Sequence, residues 1–345
     1  MHEGLSRQNR LPEPAPALAA TVAAGVDIPV VDVGPMLRGE PGALDRLAAD
    51  VRLISARLGF MCIVNHGVPW SLVEAAVLQT RKLFHLPEEE LLKSRAHFHH
   101  QGYWPSGVGR NARTFQKEAA RASYGSGWAL FRERAADDRD VLANKRHRVR
   151  NLWPDPALLP DFRDHILQYQ SAMLELGLKM VRVYARVLDL PAGFFDRDFA
   201  RPEFHNRLNY YPHREPEEGV IAQSAHFDHS FLTLLPMSPV PGLQVKKPGD
   251  ATTWIDVRYV DRGIIVNTGE WLNRLSNRRI IPTPHRVMNP PEERVTIPFF
   301  LNGSDDMVCN AVPTCIAPGE TPAFEPVTFH EFFEAYLEGS YRNRQ

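Results

Sequence analysis

The sequence predicts an all-β sandwich or jelly roll, preceded by a helical half and closed by a helix. Three observations predict it. After Phe204, short runs rich in β-branched and aromatic residues recur between Pro, Gly and Asn turns. Before that point, apolar residues recur at helical spacing. Proline, at 29 residues against 22 glycines, suits many strands ending in defined turns better than a helical bundle.

Residues 1–26 read as a loose arm: Ala17 to Val26 follows Pro12-Glu-Pro-Ala-Pro16 rather than a basic segment, so no signal peptide is expected. Asp27 to Val33 begins the ordered chain with a short strand. From Gly42 to Leu58 the apolar positions Leu44, Leu47, Ala48, Val51, Ile54 and Leu58 predict a helix, and Gly59 stops it. Phe60 to Val64 is an apolar strand closed by the turn Asn65-His-Gly-Val-Pro69. Helical patterns follow at 70–84 and 87–95. Residues 96–150 are polar, aromatic and arginine-rich without a clean period, and read as irregular loops. A long amphipathic helix is expected near 160–188, then a shorter one to about 199. Strands are expected at 206–211, 220–236, 242–246, 252–257, 263–267, 284–288 and 294–301, and a helix at 328–338.

Composition narrows the function. Lys and Arg total 40 against 41 Asp and Glu in 345 residues, so an electrostatic nucleic-acid or membrane binder is not expected. No apolar run reaches the ~18–20 residues of a membrane helix. Cys62, Cys309 and Cys315 form no C-x-x-C pair and are odd in number, which points to a reducing cytoplasm.

The chemistry sits in Ser224-Ala-His226-Phe227-Asp228-His229-Ser230. On a strand, i and i+2 share a face, so His226 and Asp228 can hold one ligand while Phe227 and His229 face away. An imidazole and a carboxylate make two legs of a 2-His-1-carboxylate iron site. His285 lies on an expected strand 57 residues after Asp228, and the turn Asn289-Pro-Pro-Glu-Glu293 leads to Arg294-Val-Thr296. If these strands form a hairpin, His285 lies opposite or beside Arg294 and Val295. Arg294 and Thr296 then offer a dicarboxylate a charged fork and a neutral donor.

With those residues in place, the sequence resembles the Fe(II)/2-oxoglutarate-dependent dioxygenases, in the branch similar to isopenicillin N synthase. The resemblance spans about residues 28–337. His226-x-Asp228 and His285 match the family's iron triad, and Arg294-x-Thr296 matches its Arg-x-Ser motif for the distal carboxylate of 2-oxoglutarate. Asn209-Tyr-Tyr211-Pro212 resembles its Asn-x-Tyr element, which also contacts the cosubstrate. Phe60 through Pro69, Asn151 to Pro154, and Ile265 to Gly269 with Leu275-Ser-Asn277 fit as well. Thr296 replaces Ser but keeps the hydroxyl; Glu270 and Arg278 stand where Asp and Gly are usual, in a structural turn.

The resemblance implies a mainly β, α+β fold: a double-stranded β-helix (jelly-roll, cupin-like) core at 201–337, packed as one unit with an α/β region at 27–200, and a tail at 338–345. It implies Fe(II), with 2-oxoglutarate and O2 as cosubstrates. The expected activity is oxidation of a small organic molecule with release of succinate and CO2. Hydroxylation is the default outcome; desaturation and ring closure are others. Relatives that bypass 2-oxoglutarate are a second reading, and a Zn hydrolase or a binding module a third. A monomer is expected.

Other residues receive structural readings. His66 belongs to its turn, His97, His99 and His100 to a polar loop, and Arg286 to a structural ion pair. Tyr210 is expected in the core, with Tyr211 facing the pocket. Residues 96–134 carry six aromatics among basic side chains, and a long aperiodic loop in a compact enzyme is usually functional. This stretch is expected to cover the mouth of the barrel as a substrate lid, through Tyr103, Trp104, Arg110 and Trp128, and to favour an acidic substrate.

Overall fold

The structure is a computed structural model that describes residues 11–16, 18, 27–107, 122–215, 217–250 and 252–342. Two sheets carry it. The strands used below are β1 Val30–Asp32, β2 Phe60–Val64, β3 Gly102–Trp104, β4 Ser126–Phe131, β5 Glu203–Tyr211, β6 Gln223–His226, β7 Leu232–Pro236, β8 Leu243–Lys246, β9 Trp254–Asp256, β10 Ile264–Thr268, β11 His285–Val287, β12 Arg294–Thr296 and β13 Phe299–Asn302. The large sheet runs β1-β2-β10-β7-β13-β5-β4-β3, with β12 also paired to β5. The small sheet runs β9-β8-β11-β6. The β1–β2 pair is parallel; the other pairs within these two sheets are antiparallel.

Helices α1 Ala43–Arg57, α2 Trp70–Phe84 and α3 Phe162–Val187 pack against the large sheet. Leu47, Val51 and Ile54 of α1 and Ile166, Met173 and Met180 of α3 join Leu232, Leu234 and Leu301 of the sheet in one core. The α1 positions are spaced by four and three and the α3 positions by seven, so these residues line one face of each helix, and α3 is buried all round at its end, over 183–187. Arg52 closes the end of α3: its guanidinium donates to the Arg186 and Val187 carbonyls at 3.1 and 2.9 Å. Gly59 turns α1 into β2 at φ +66°, and a Cβ there would lie 2.3 Å from the Ile281 carbonyl oxygen. A smaller core of Phe60, Cys62, Ile265, Leu243 and Val245 sits between the two sheets.

The helices at 43–57, 70–84 and 162–187 stand close to where apolar spacing places them. Several expectations need correction. The 96–150 stretch is not all loop, because β3 and β4 extend the large sheet beside β5. Gly102, Gly127 and buried aromatics interrupt the alternation there, and both faces of β4 are covered, so no period of two shows. No second helix follows α3 before residue 200; residues 192–199 form turns. The run 220–236 is three short strands, 220–221, β6 and β7. A short helix α4, Glu270–Leu275, occupies the expected turn, and Arg278 just beyond it takes φ +69°, the backbone a glycine would adopt freely. The last helix α5 is Phe329–Arg342, so the expected boundary at 337 falls inside it. The large sheet draws strands from both sides of residue 200, so the two expected regions share one sheet.

Candidate metal centre

A cavity open to solvent lies between the sheets. The small sheet contributes His226 and His285, which are direct cross-strand partners on β6 and β11. Strand β6 ends at His226, and Asp228 follows in the segment toward β7. Asp228 Oδ1 lies 3.9 Å from His226 Nε2 and 3.7 Å from His285 Nε2. One ligand atom from each of the three falls within 4.8 Å of the others, the one such cluster of three among the described residues.

The surroundings prepare each donor. His226 Nδ1 is 2.9 Å from the Ser224 carbonyl, and His285 Nδ1 is 3.2 Å from the Thr283 carbonyl. A carbonyl only accepts, so both Nδ1 atoms carry the proton and both Nε2 lone pairs point at the shared position. Asp228 Oδ2 accepts from Thr233 Oγ1 and Asn267 Nδ2, each at 2.7 Å, which leaves Oδ1 to the imidazoles. Thr233 on β7 and Asn267 on β10 belong to the large sheet, so the carboxylate is held from the opposite side of the cavity.

Burial, reinforced by the neighbouring His285, pushes the His226 pKa down to about 4, which keeps this imidazole neutral. Burial alone would raise Asp228, but His285, His226 and the two hydrogen bonds outweigh it and hold the carboxyl below its ordinary value. The two imidazole Nε2 atoms and the carboxylate converge on one point, a donor set that fits Fe(II).

The second group faces them from the large sheet. Strands β5 and β12 pair so that Arg294 stands opposite Tyr211 and Thr296 opposite Asn209. The four residues assigned to 2-oxoglutarate thus form two neighbouring cross-strand pairs, all lining the cavity. Asn209 Nδ2 lies 3.4 Å from Thr296 Oγ1, and the Arg294 guanidinium carbon is 5.6 Å from the Tyr211 ring centroid. Arg294 Nε donates to the Val240 carbonyl at 3.1 Å, which aims the fork into a site where burial makes its charge costly.

The expected hairpin between His285 and Arg294 does not exist. β11 lies in the small sheet and β12 in the large one. The intervening Asn289–Glu293 turn crosses between sheets, and Arg294 meets the Asn209–Tyr211 motif instead.

Two of the residues expected in the lid are corrected as well. Tyr103 and Trp128 are buried strand residues packed in the main core, with Trp128 Nε1 donating to the Leu152 carbonyl at 3.1 Å. Trp104 on β3 does line the cavity. Arg110 lies outside the described residues.

His229 also departs from expectation: past the end of β6 the alternation breaks, and its ring lines the cavity. His205 and Arg207 were missed. The signal was available, because they continue the i, i+2 series of Asn209 and Tyr211 on β5. His100, expected in a polar loop, is buried and lines the cavity, while His66 keeps to its turn. His66 Nε2 lies 2.9 Å from the Arg262 carbonyl, while its Nδ1 accepts from Val68 N–H at 3.1 Å. Tyr210 stacks on Phe84 outside the cavity. Arg286 turns away, bonded to Gln244 and lying 4.1 Å over Trp254.

Comparison with known proteins agrees with this geometry. The family described as 2OG-Fe(II) oxygenase superfamily matches residues 202–303, and the one described as non-haem dioxygenase in morphine synthesis N-terminal matches 28–156. Gibberellin 20 oxidase 2 of Oryza sativa subsp. indica is 30% identical over 326 residues, covering 93% of this chain and 79% of that protein. The 2-oxoglutarate-Fe(II) type oxidoreductase hxnY of Emericella nidulans is 29% identical over 323 residues, covering 91% and 90%. Among solved structures, a full-length Neurospora crassa protein in complex with alpha-KG superposes with a TM-score of 0.79 at 24% identity, over 91% of this chain and 97% of that one.

Proposed function

The chain belongs to the 2OG-Fe(II) oxygenase superfamily, and from that premise we propose that His226, Asp228 and His285 hold the iron while Arg294, Thr296, Asn209 and Tyr211 hold 2-oxoglutarate. The activity is 2-oxoglutarate-dependent oxidation of a small molecule. One oxygen atom of O2 enters succinate as CO2 leaves, and the other serves to oxidise substrate; two electrons come from the keto acid and two from substrate. Iron, when bound, supplies the activation of O2 that no side chain here provides.

The chain's own residues bind and orient. Arg294 takes the distal carboxylate as a bidentate fork, and the Thr296 hydroxyl adds a neutral donor beside it. Thr233 and Asn267 hold Asp228 so that one oxygen faces the metal. The observation that carries the reading is the pair of cross-strand partners, Arg294 with Tyr211 and Thr296 with Asn209, on the wall facing the triad. Hydroxylation is the default outcome. No helix among the described residues is long and apolar enough to cross a membrane, and three unpaired buried cysteines support a cytoplasmic setting.

Anaerobic titration of Fe(II) and 2-oxoglutarate tests this. A weak visible charge-transfer band is expected from the native chain and is lost in His285→Ala. A colourless complex with stoichiometric Zn(II) preference and no succinate release would overturn it.

A further inference from the structure

Resting on that reading, we infer that the substrate is a planar aromatic or heteroaromatic acid, stacked on a wall formed by His205, His229 and Phe300 and anchored through its anionic group by Arg207. All four residues line the cavity that holds the triad.

The wall is flat. His205 and Phe300 lie with centroids 4.5 Å apart and planes 12° from parallel. His205 and His229 are 5.3 Å and 13° apart, His229 and Phe300 5.8 Å and 21°. Tyr336 of α5 extends the group, 4.4 Å from His229. Burial, then the neighbouring His229 and Arg207, hold His205 far below the ordinary imidazole range, so it stays neutral and stacks as an aromatic. A saturated substrate would need no such run of near-parallel rings; a planar ring continues it. His229 follows Asp228 in the chain, and both line the same cavity.

The cation comes from the same strand as the cosubstrate residues. His205, Arg207, Asn209 and Tyr211 alternate along one face of β5, at roughly 7 Å per two-residue step. That face reads in order as ring, guanidinium, then 2-oxoglutarate contacts. The guanidinium has a built seat. It lies 5.1 Å over the Trp104 ring, and the Cβ that Gly127 lacks would fall 2.9 Å from its Nε.

Charge count supplies the acid. Among the described lining residues, Arg207, Arg294 and Asp228 are the charged ones apart from histidines. With Fe(II) in place these sum to three net positive charges. The 2-oxoglutarate dianion balances two, and the lining keeps one positive charge toward substrate. In a site walled by aromatic rings an anion is the complement.

The test uses the full chain saturated with Fe(II) and 2-oxoglutarate under anaerobic conditions, titrated calorimetrically. The probes are benzoate, 1-naphthoate and indole-3-carboxylate, each against its carboxamide, with cyclohexanecarboxylate as the saturated control. At least one aryl acid is expected to bind tenfold or more tightly than both its amide and the saturated acid. Arg207→Gln should erase the preference over the amide, and Gly127→Ala, which pushes the guanidinium aside without removing charge, should reduce it. Phe300→Leu should erase the preference for the planar ring. Arg207→Lys, which keeps the charge, should retain part of the preference and controls for folding. The inference is overturned if no aryl acid binds, if acid and amide bind alike, or if the acid displaces 2-oxoglutarate. Loss of 2-oxoglutarate binding in the native chain would instead overturn the cosubstrate reading, so the two failures are distinct.

Discussion

The two ends of the cavity are built on different principles. At the metal end, every donor has a second partner within a hydrogen bond: Ser224 and Thr283 carbonyls behind the imidazoles, Thr233 and Asn267 behind the carboxylate. At the ring end, side chains from β5, β13, the segment after β6 and α5 lie face against face. What fixes that end lies farther out. Asp305 takes the Arg148 guanidinium and Lys145, its carbonyl accepts from His330 N–H at 3.1 Å, and Glu334 meets Arg146 at 3.1 Å and His147 at 2.9 Å. Arg134 and Arg148 share Glu203 beneath them. The lesson is that reaction and substrate choice are separately anchored: hydrogen bonds set the first at the atoms themselves, and a remote ion-pair layer sets the second by placing a helix.

That separation can be broken or sharpened by substitution. The largest effect belongs to the triad: His226→Ala, Asp228→Ala or His285→Ala should abolish iron binding and turnover, because three ligands on one face are what this chemistry uses. Iron content by colorimetric assay and succinate release check it, and stoichiometric iron with normal turnover in His285→Ala would refute the assignment. Next comes the remote layer. Arg148→Met removes one buried partner from both Asp305 and Glu203, which keep Lys145 and Arg134, and should cost about 3 kcal/mol in urea unfolding, the lower end for breaking a buried pair. The same variant should bind Fe(II) as tightly as the native chain; a matching loss of iron affinity would mean the two ends are not separate.

Arg294→Gln comes third. Losing a charged pair in a desolvated pocket should cost about 2–5 kcal/mol, hence ~30-fold or more in the KM for 2-oxoglutarate. A change of twofold or less would favour the relatives that do without the keto acid. The smallest effect is at the supports of the carboxylate: Asn267→Ala should weaken iron by roughly 10–100-fold, the usual range for a lost outer partner of a metal ligand. Equilibrium competition with a chelator reads it directly. An unchanged affinity would show that Thr233 alone orients Asp228.

The metal site was legible because its residues are close in sequence or tied to a motif of fixed spacing. His226 and Asp228 needed no knowledge of the fold. Their pairing with His285 came with the motif, and the cross-strand contact of β11 with β6 realises it. The Arg294-x-Thr296 hydroxyl and fork were equally legible, yet their partner strand was not. Nearness in sequence favoured a hairpin with His285, whereas the large sheet, by pairing β12 with β5, brought Tyr211 and Asn209 from more than eighty residues away.

The substrate wall shows the opposite case. Residues 102–104 and 126–131 carry no period of two, since β4 is covered on both faces and alternation needs one wet face to be visible. His229 was read as facing away because the strand was assumed to continue past His226, and the break in the ladder turned it inward. The sequence alone determined which groups could bind iron and a keto acid, since ligand chemistry is a property of side chains and short spacings. Only the tertiary structure decided what faces them, because the cavity wall is assembled from strands whose neighbours are chosen by burial across the whole sheet, and that choice is not a local property of any segment.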